Sequence, residues 1–391
     1  MNSVKGIFVA KAARVFVFGL VSVVTPVYMA VLGFPPLLVG VEIAAMVSGS
    51  AVSNVILIRY EGRVGRRRFL LLCSLLMLCS GALLFSTSSY PIILLASFIG
   101  NVSTSGTEAG PFQSIETGVL PTLGPLETVN KTFGMYNMIG YGASSLGALA
   151  ATVPSYFHDD LLVFRSLYLL YGLVGLVLVV VYWGIGGLRS RRSEAETPAA
   201  NRRSSGARRE IIRLSGLQAI DAFGGGFVSQ SLLAYWFFLV YGVTLGGLGV
   251  IFLVVNVITA LSTLGASYLA DRIGNLRTMV YTHLLSNAFL VLIPFAGSLA
   301  GALFFLFARQ SVSQMDVPTR QAFTAGIFAD EERVRANATT NTSRVIANVF
   351  GSPLSGALLG AGLVSLPLLI AGFSKVFYDS LMFFTYRRRA R

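Results

Sequence analysis

The chain has 391 residues, of which 54% are hydrophobic and only 12% charged, with a mean hydropathy of +0.72. Soluble domains carry roughly 25% charged residues, so this composition leaves too little polar surface to coat a water-soluble globule of this length. The net charge of +13 falls in short segments between apolar runs, which marks membrane topology and contact with anionic lipid headgroups rather than a nucleic-acid surface.

In chain order, apolar runs bounded by Gly, Pro or charge predict spans at 8–32, 36–59, 69–87, 90–112, 130–153, 163–187, 211–241, 246–270, 277–297, 299–326, 335–360 and 363–386. A bilayer core needs about 20 residues per helix, and an open strand cannot satisfy its backbone in lipid. The expected fold is therefore all-α and integral to the membrane, with twelve transmembrane helices. The fourth and tenth spans turn polar near their ends. The first run is too long for a secretory leader and lacks a small-residue cleavage site. Cys73 and Cys79 have neither a metal spacing nor a disulfide framework, and His158 and His283 lie too far apart to suggest a metal cluster. No cofactor is expected.

Arginine and lysine set the orientation. With the N-terminus inside, the cytoplasmic segments hold Lys5, Arg59, Arg63, Arg66, Arg67, Arg68, Lys131, the basic block 189–213, Arg272, Arg277, Arg333, Arg335 and the arginines of the tail. The external loops hold Arg165, beside His158, Asp159 and Asp160. Both termini are expected in the cytoplasm of a cell whose plasma membrane the chain crosses. The segment 189–209 is rich in Arg, Ser and Ala, with Glu194, Glu196 and Pro198, and reads as a flexible connector. It divides the chain into an N-terminal six-helix bundle (1–188), a cytoplasmic linker (189–210) and a C-terminal six-helix bundle (211–391).

The halves repeat each other. Arg63-Val64-Gly65 and Arg272-Ile273-Gly274 share an offset of 209 residues. Glu108 and Gln113 match Asp316 and Gln321 at an offset of 208, and Asn137 and Gly147 match Asn341 and Gly351 at 204. Each half has an even number of spans, so the repeat keeps its orientation. Parallel six-helix halves about an axis normal to the bilayer are a transporter architecture.

On these features the chain resembles the major facilitator superfamily across essentially its whole length. That family carries a loop of the form Gly-x-x-x-Asp-Arg-x-Gly-x-Arg/Lys-Arg/Lys between helices two and three, often with a degenerate copy between eight and nine. Here the second copy is the fuller one, with Asp271, Arg272, Gly274 and Arg277, while Ser267 replaces the first Gly. The first copy keeps Arg63, Gly65, Arg67 and Arg68, with Gly62 in place of the Asp and Glu61 one position earlier. Span four has no Arg, and the Gly-Pro pattern expected of span five sits instead in span eleven as Gly351-Ser352-Pro353, which argues against drug–proton antiport. The resemblance implies a monomeric secondary transporter that moves a small-molecule substrate by alternating access, either proton-coupled, a reading favoured because buried carboxylates are available, or an exporter. It implies no enzyme activity. A membrane scaffold, a sensor or a membrane-embedded enzyme is the alternative.

A charge in hydrocarbon costs on the order of 2.5–3.5 kcal/mol on the mildest scale, so intramembrane charges are the first functional candidates. By the resemblance, helices one, four, seven and ten line a central cavity. Span one offers Arg14, span four Glu108, span seven Asp221, and span ten Arg309 and Asp316. Arg14 also lies within reach of the cytoplasmic headgroups, to which it would snorkel. Glu108 and Asp316 occupy matching repeat positions. Arg344, in span eleven, has Glu61 as a candidate gate partner. Glu42, in span two, is either a protonatable coupling group or a headgroup neighbour. Lys375 and Asp379, four apart on span twelve, are expected to neutralise each other. Arg63, Gly65, Arg67, Arg68, Asp271, Arg272, Gly274 and Arg277 are expected to brace the cytoplasmic face.

Overall fold

A computed structural model describes residues 3–100, 110–120, 129–157, 160–185, 205–328 and 330–387. These are helical: α1 (Ser3–Val31), α2 (Pro36–Val64), α3 (Arg66–Ser86), α4 (Tyr90–Ile99), α5 (Pro111–Val119), α6 (Val129–Ala150), α7 (Leu161–Gly184), α8 (Ser205–Gly226), α9 (Gln230–Tyr241), α10 (Leu245–Ile273), α11 (Asn275–Leu292), α12 (Leu299–Ser313), α13 (Asp316–Ile327), α14 (Asp330–Gly360) and α15 (Leu366–Tyr386). Helices α8 and α9 fall within the expected seventh span and α12 and α13 within the tenth, and the described residues of the twelve expected spans are predominantly helical. Two boundaries differ from expectation. Helix α5 carries helical structure on to Val119, past the expected end of the fourth span, where Gln113, Ser114, Glu116 and Thr117 interrupt the apolar run. Helix α8 begins at Ser205, inside the segment expected to be linker.

The helices group into two compact units. One holds α1 to α7 together with residues 233–253 of α9 and α10. The other holds α8, the rest of α10 and α11 to α15. In the first unit α1 packs on α6 and α7, and α3 packs on α7. In the second, α8 packs on α14 and α15, and α11 packs on α15. The same arrangement of first, third, fifth and sixth spans therefore recurs in both. Burial separates their roles: 72% of the apolar window of α1 is buried in protein, against 39% for α7. Leu169, Leu173, Leu176, Val180 and Trp183 accordingly stand exposed on α7, as a lipid-facing surface requires.

The repeat extends to backbone detail. Gly65 and Gly274 are the N-cap residues of α3 and α11, with φ/ψ of 82°/142° and 85°/155°. This region of backbone space belongs almost wholly to glycine. It lets the chain reverse between two long helices within one residue.

The seventh span breaks between Gly226 and Gln230. Broken backbone is tolerated at membrane depth only where protein re-satisfies it, and α14 does so. Asn348 Nδ2 donates to the Ala222 carbonyl at 3.1 Å, and Ser352 Oγ donates to that of Gly226 at 3.0 Å. Close approach makes this possible: a Cβ on Gly226 would lie 2.3 Å from the Asn348 carbonyl oxygen and 2.9 Å from Gly351 Cα. Gly147, the repeat partner of Gly351, plays the same part in the first unit, where a Cβ would lie 1.8 Å from the Phe16 carbonyl oxygen of α1.

Candidate functional site

Each unit buries a cluster of charge. In the first, α1 carries Arg14, α5 carries Phe112 and Glu116, α6 carries Tyr136 and α7 carries Tyr182. Arg14 and Glu116 are both 0% exposed. Arg14 Nη2 donates to Glu116 Oε2 at 2.7 Å and Nη1 to Oε1 at 3.2 Å, a bidentate fork. Tyr136 donates to Oε2 at 2.7 Å and Tyr182 to Oε1 at 2.6 Å. The carboxylate has about four acceptor positions, and these bonds fill them. Tyr182 also accepts from Arg14 at 2.5 Å. The guanidinium lies 4.6 Å from the centre of the Phe112 ring, and Lys11 Nζ lies 4.3 Å from that of Tyr136.

Arg14 therefore does not snorkel. Glu116, its partner, was not among the sequence candidates. Glu108, the acid of span four that was, lies outside the described residues. Glu116 sits 102 residues from Arg14, and its fourfold satisfaction suits a fixed brace.

Glu42 on α2 is different. It is 0% exposed, yet its contacts are sparse. Ser97 on α4 donates to Oε1 at 2.7 Å, while Oε2 has no hydrogen-bond partner. Among the described residues no basic side chain forms an ion pair with it. It is buried in protein and is not a headgroup neighbour.

The second unit centres on Asp221 of α8, near the break in the seventh span. Lys375 Nζ of α15 donates to Oδ1 at 2.7 Å. Arg344 Nη1 of α14 and Arg320 Nη1 of α13 approach Oδ2 at 3.0 and 3.5 Å. Arg320 also donates to Asp316 on its own helix at 2.8 Å. His283 of α11 lies between two acids, with Nε2 3.6 Å from Asp221 Oδ1 and Nδ1 2.8 Å from Asp379 Oδ1. Asn287 Nδ2 donates to Asp379 Oδ2 at 3.1 Å. The arrangement corrects one expectation. Lys375 does not pair with Asp379 four residues along, because the buried Asp221 claims it. Arg344 bonds Asp221, and the side chain of Glu61, its candidate gate partner, lies outside the described residues. Of the basic groups on Asp221, Arg344 is the most open, its side chain 26% exposed. Arg320, Lys375 and His283 were absent from the candidate set, yet they hold two of its members.

The family can now be read from the whole chain. A family model for the Major Facilitator Superfamily matches residues 7–308 and 218–391. The chain belongs to the major facilitator superfamily. A yeast relative described as an uncharacterized membrane protein, YJR124C of Saccharomyces cerevisiae, is 21% identical over 97% of this chain and 93% of its own. Among solved structures, a D-xylose-proton symporter superposes with a TM-score of 0.77 at 15% identity, covering 97% of each chain. The nucleoside transporter NupG gives 0.74 at 12% identity, covering 98% of this chain and 100% of its own. At such identities the likeness shows the fold and leaves the substrate open.

The remaining candidates fall into place on this superfamily fold. Arg309 of α12 does not pair with Asp221. Its Nη1 donates to the neighbouring Gln310 at 3.2 Å, while Nε is buried without a hydrogen-bond partner. Gln310 in turn donates to Thr259 of α10 at 2.5 Å. In the loop motifs, Arg67 bonds the Trp183 carbonyl and lies over its ring, and Arg272 lies 4.3 Å from the centre of the Tyr268 ring. Arg63, Arg68, Asp271 and Arg277 are exposed. Asp271 forms no ion pair among the described residues.

Proposed function

We propose that this protein is a proton-coupled secondary transporter that moves a small polar solute by alternating access, and that Glu42 carries a coupled proton. The observation behind the proton is Glu42 itself. An ionised carboxylate without a cation is expensive in a dry interior, and a group that must be neutral there can take up a proton when water reaches it and give it back. The fixed Arg14–Glu116 brace keeps the first unit rigid while this happens, and the repeated glycine turns at Gly65 and Gly274 anchor the loop motifs. Superfamily membership supports transport. The arginine distribution supports cytoplasmic termini, and the reading takes the protein as a plasma-membrane monomer whose work is transport. Arg309 is the proposed ligand for an anionic or polar substrate, since its planar fork suits a carboxylate or phosphate.

The test is uptake into proteoliposomes under an imposed pH gradient, with a panel that includes D-xylose, uridine and small organic acids. One panel member is expected to accumulate, with accumulation abolished by a protonophore. Glu42→Gln is expected to keep counterflow exchange and lose gradient-driven accumulation. Accumulation by Glu42→Gln equal to that of the parent protein would remove Glu42 from the mechanism.

A further inference from the structure

Three basic side chains, Arg320, Arg344 and Lys375, share the second unit's cluster with three acids, Asp221, Asp316 and Asp379. Charge balances before His283 is considered. Yet the fixed cations do not reach every acid. Asp379 is 0% exposed, and His283 is the one group in ion-pair range of it among the described residues. The imidazole also points its second nitrogen at Asp221 Oδ1. Only the doubly protonated ring has a donor for each carboxylate. In the singly protonated ring one nitrogen presents a lone pair to a carboxylate instead. Imidazole is the side chain whose ordinary charge change falls in the physiological pH range.

The sequence supplies a substitute cation. Lys375 lies four residues before Asp379 on α15, the spacing at which side chains meet on one helix face. At present it is bound to Asp221 on α8 at 2.7 Å. We propose that His283 and Asp379 form a proton-binding site and that Lys375 is its switch. With the ring doubly protonated, the imidazolium serves Asp379 and Lys375 ties α15 to Asp221 on α8. When Nε2 gives its proton to water, the N–H bond breaks and its electron pair stays on the ring. Asp379 is then a buried carboxylate without a cation, and Lys375 swings to it. Asp221 is left with Arg344 and Arg320, and the tie between α8 and α15 is released beside the break in the seventh span.

Among the described residues, the titratable groups against the ring are Asp221 from α8 and Tyr378 and Asp379 from α15. Around them stand Lys375 on α15, Asp316 and Arg320 on α13 and Arg344 on α14, while α12, also packed on α11, carries Arg309 bonded to Gln310. Asn287, on the same helix as His283, donates to Asp379 in either state.

The site extends the proton-coupled reading given above, and the experiment separates the two. The chain has only two histidines, so a His158→Gln background with 15N-labelled histidine reports the His283 ring alone, in lipid nanodiscs between pH 5 and 9. The ring is expected to pass from doubly to singly protonated within that range. Removing its acid in Asp379→Asn should move the midpoint to lower pH by about one unit or more, and removing the competing cation in Lys375→Gln should move it higher by a similar amount. Either variant suffices if the other is unstable. A ring that keeps one protonation state throughout, or a midpoint that neither variant moves, overturns the proposal. Titration as described in a protein whose uptake is indifferent to a pH gradient would leave the proton site standing and remove the proton-coupled reading.

Discussion

Arg14 and Glu116 form a bidentate ion pair across 102 residues of chain, with neither side chain exposed. Taking two charges out of water is costly, and breaking such a pair from one side leaves the other charge uncompensated, at about 3–5 kcal/mol. Arg14→Gln and Glu116→Gln are each expected to lower the thermal unfolding temperature sharply in detergent. The Arg14→Met/Glu116→Gln double variant should be more stable than the sum of the single losses implies, because it strands no charge. Fluorescence-detected gel filtration after heating measures all three. Strict additivity would show that the pair is not coupled.

Gly274 carries the second prediction. Its φ of 85° lies where an L side chain is strained, at about 1–3 kcal/mol. Gly274→Ala should reduce thermal stability by that order even though a Cβ there would have open space around it. Gly65→Ala should do the same. Asp271→Asn, three residues before Gly274, should leave stability unchanged, because Asp271 is exposed and forms no ion pair among the described residues. It should slow turnover without weakening substrate affinity, as expected of a loop that acts in only part of the cycle. Lost binding at unchanged turnover would contradict that assignment.

The spans, the repeat and the loop motifs were legible in the sequence because each is a simple pattern: an apolar run, a nearly constant offset, a glycine among arginines. The partners of the buried charges were not. Glu116 lies beyond the apolar part of the fourth span, where nothing local marks it as buried. Lys375 was assigned to Asp379 by helical spacing, a preference worth about 0.2–0.5 kcal/mol on a solvated helix. That is small beside the cost of leaving Asp221 unpaired in the interior, so the tertiary contact prevails. In the sequence His283 has one other histidine for company, His158, too distant for a metal cluster. Its two carboxylates arrive from α8 and α15, 62 residues before it and 96 after.

Topology is tested by accessibility. In a chain whose Cys73 and Cys79 are replaced by Ala, Ser204→Cys should react with a membrane-impermeant maleimide only after the cells are opened. On the side expected to face outward, Ser155 is half-buried and accepts a hydrogen bond from the Gly246 amide at 2.8 Å. Its neighbour Tyr156, 79% exposed, is the better site, and Tyr156→Cys should react in intact cells. Reaction of Ser204→Cys from outside would invert the orientation.

The last prediction concerns Arg309. Its helix, α12, is flanked by Phe305 and Ser313 at the positions one turn away, so the helix itself offers no acid. The guanidinium has five N–H donors, and the bond it makes to a side chain is to its neighbour Gln310 at 3.2 Å. An arginine at this depth, with a buried Nε left over, is costly to keep in an apolar span unless it serves a ligand or a changing partner. Arg309→Lys retains the charge and loses the planar fork, while Arg309→Gln loses both. Both proteins should fold, because no ion pair to Arg309 is broken among the described residues. Affinity for the solute found in the uptake panel should fall at least tenfold, about 1.4 kcal/mol, in Arg309→Gln, and to a lesser degree in Arg309→Lys. Equilibrium binding to purified protein is the measurement, since it separates affinity from turnover. Unaltered affinity in Arg309→Gln would show that Arg309 does not contact the substrate, and the case for an anionic or polar solute would lose its main support.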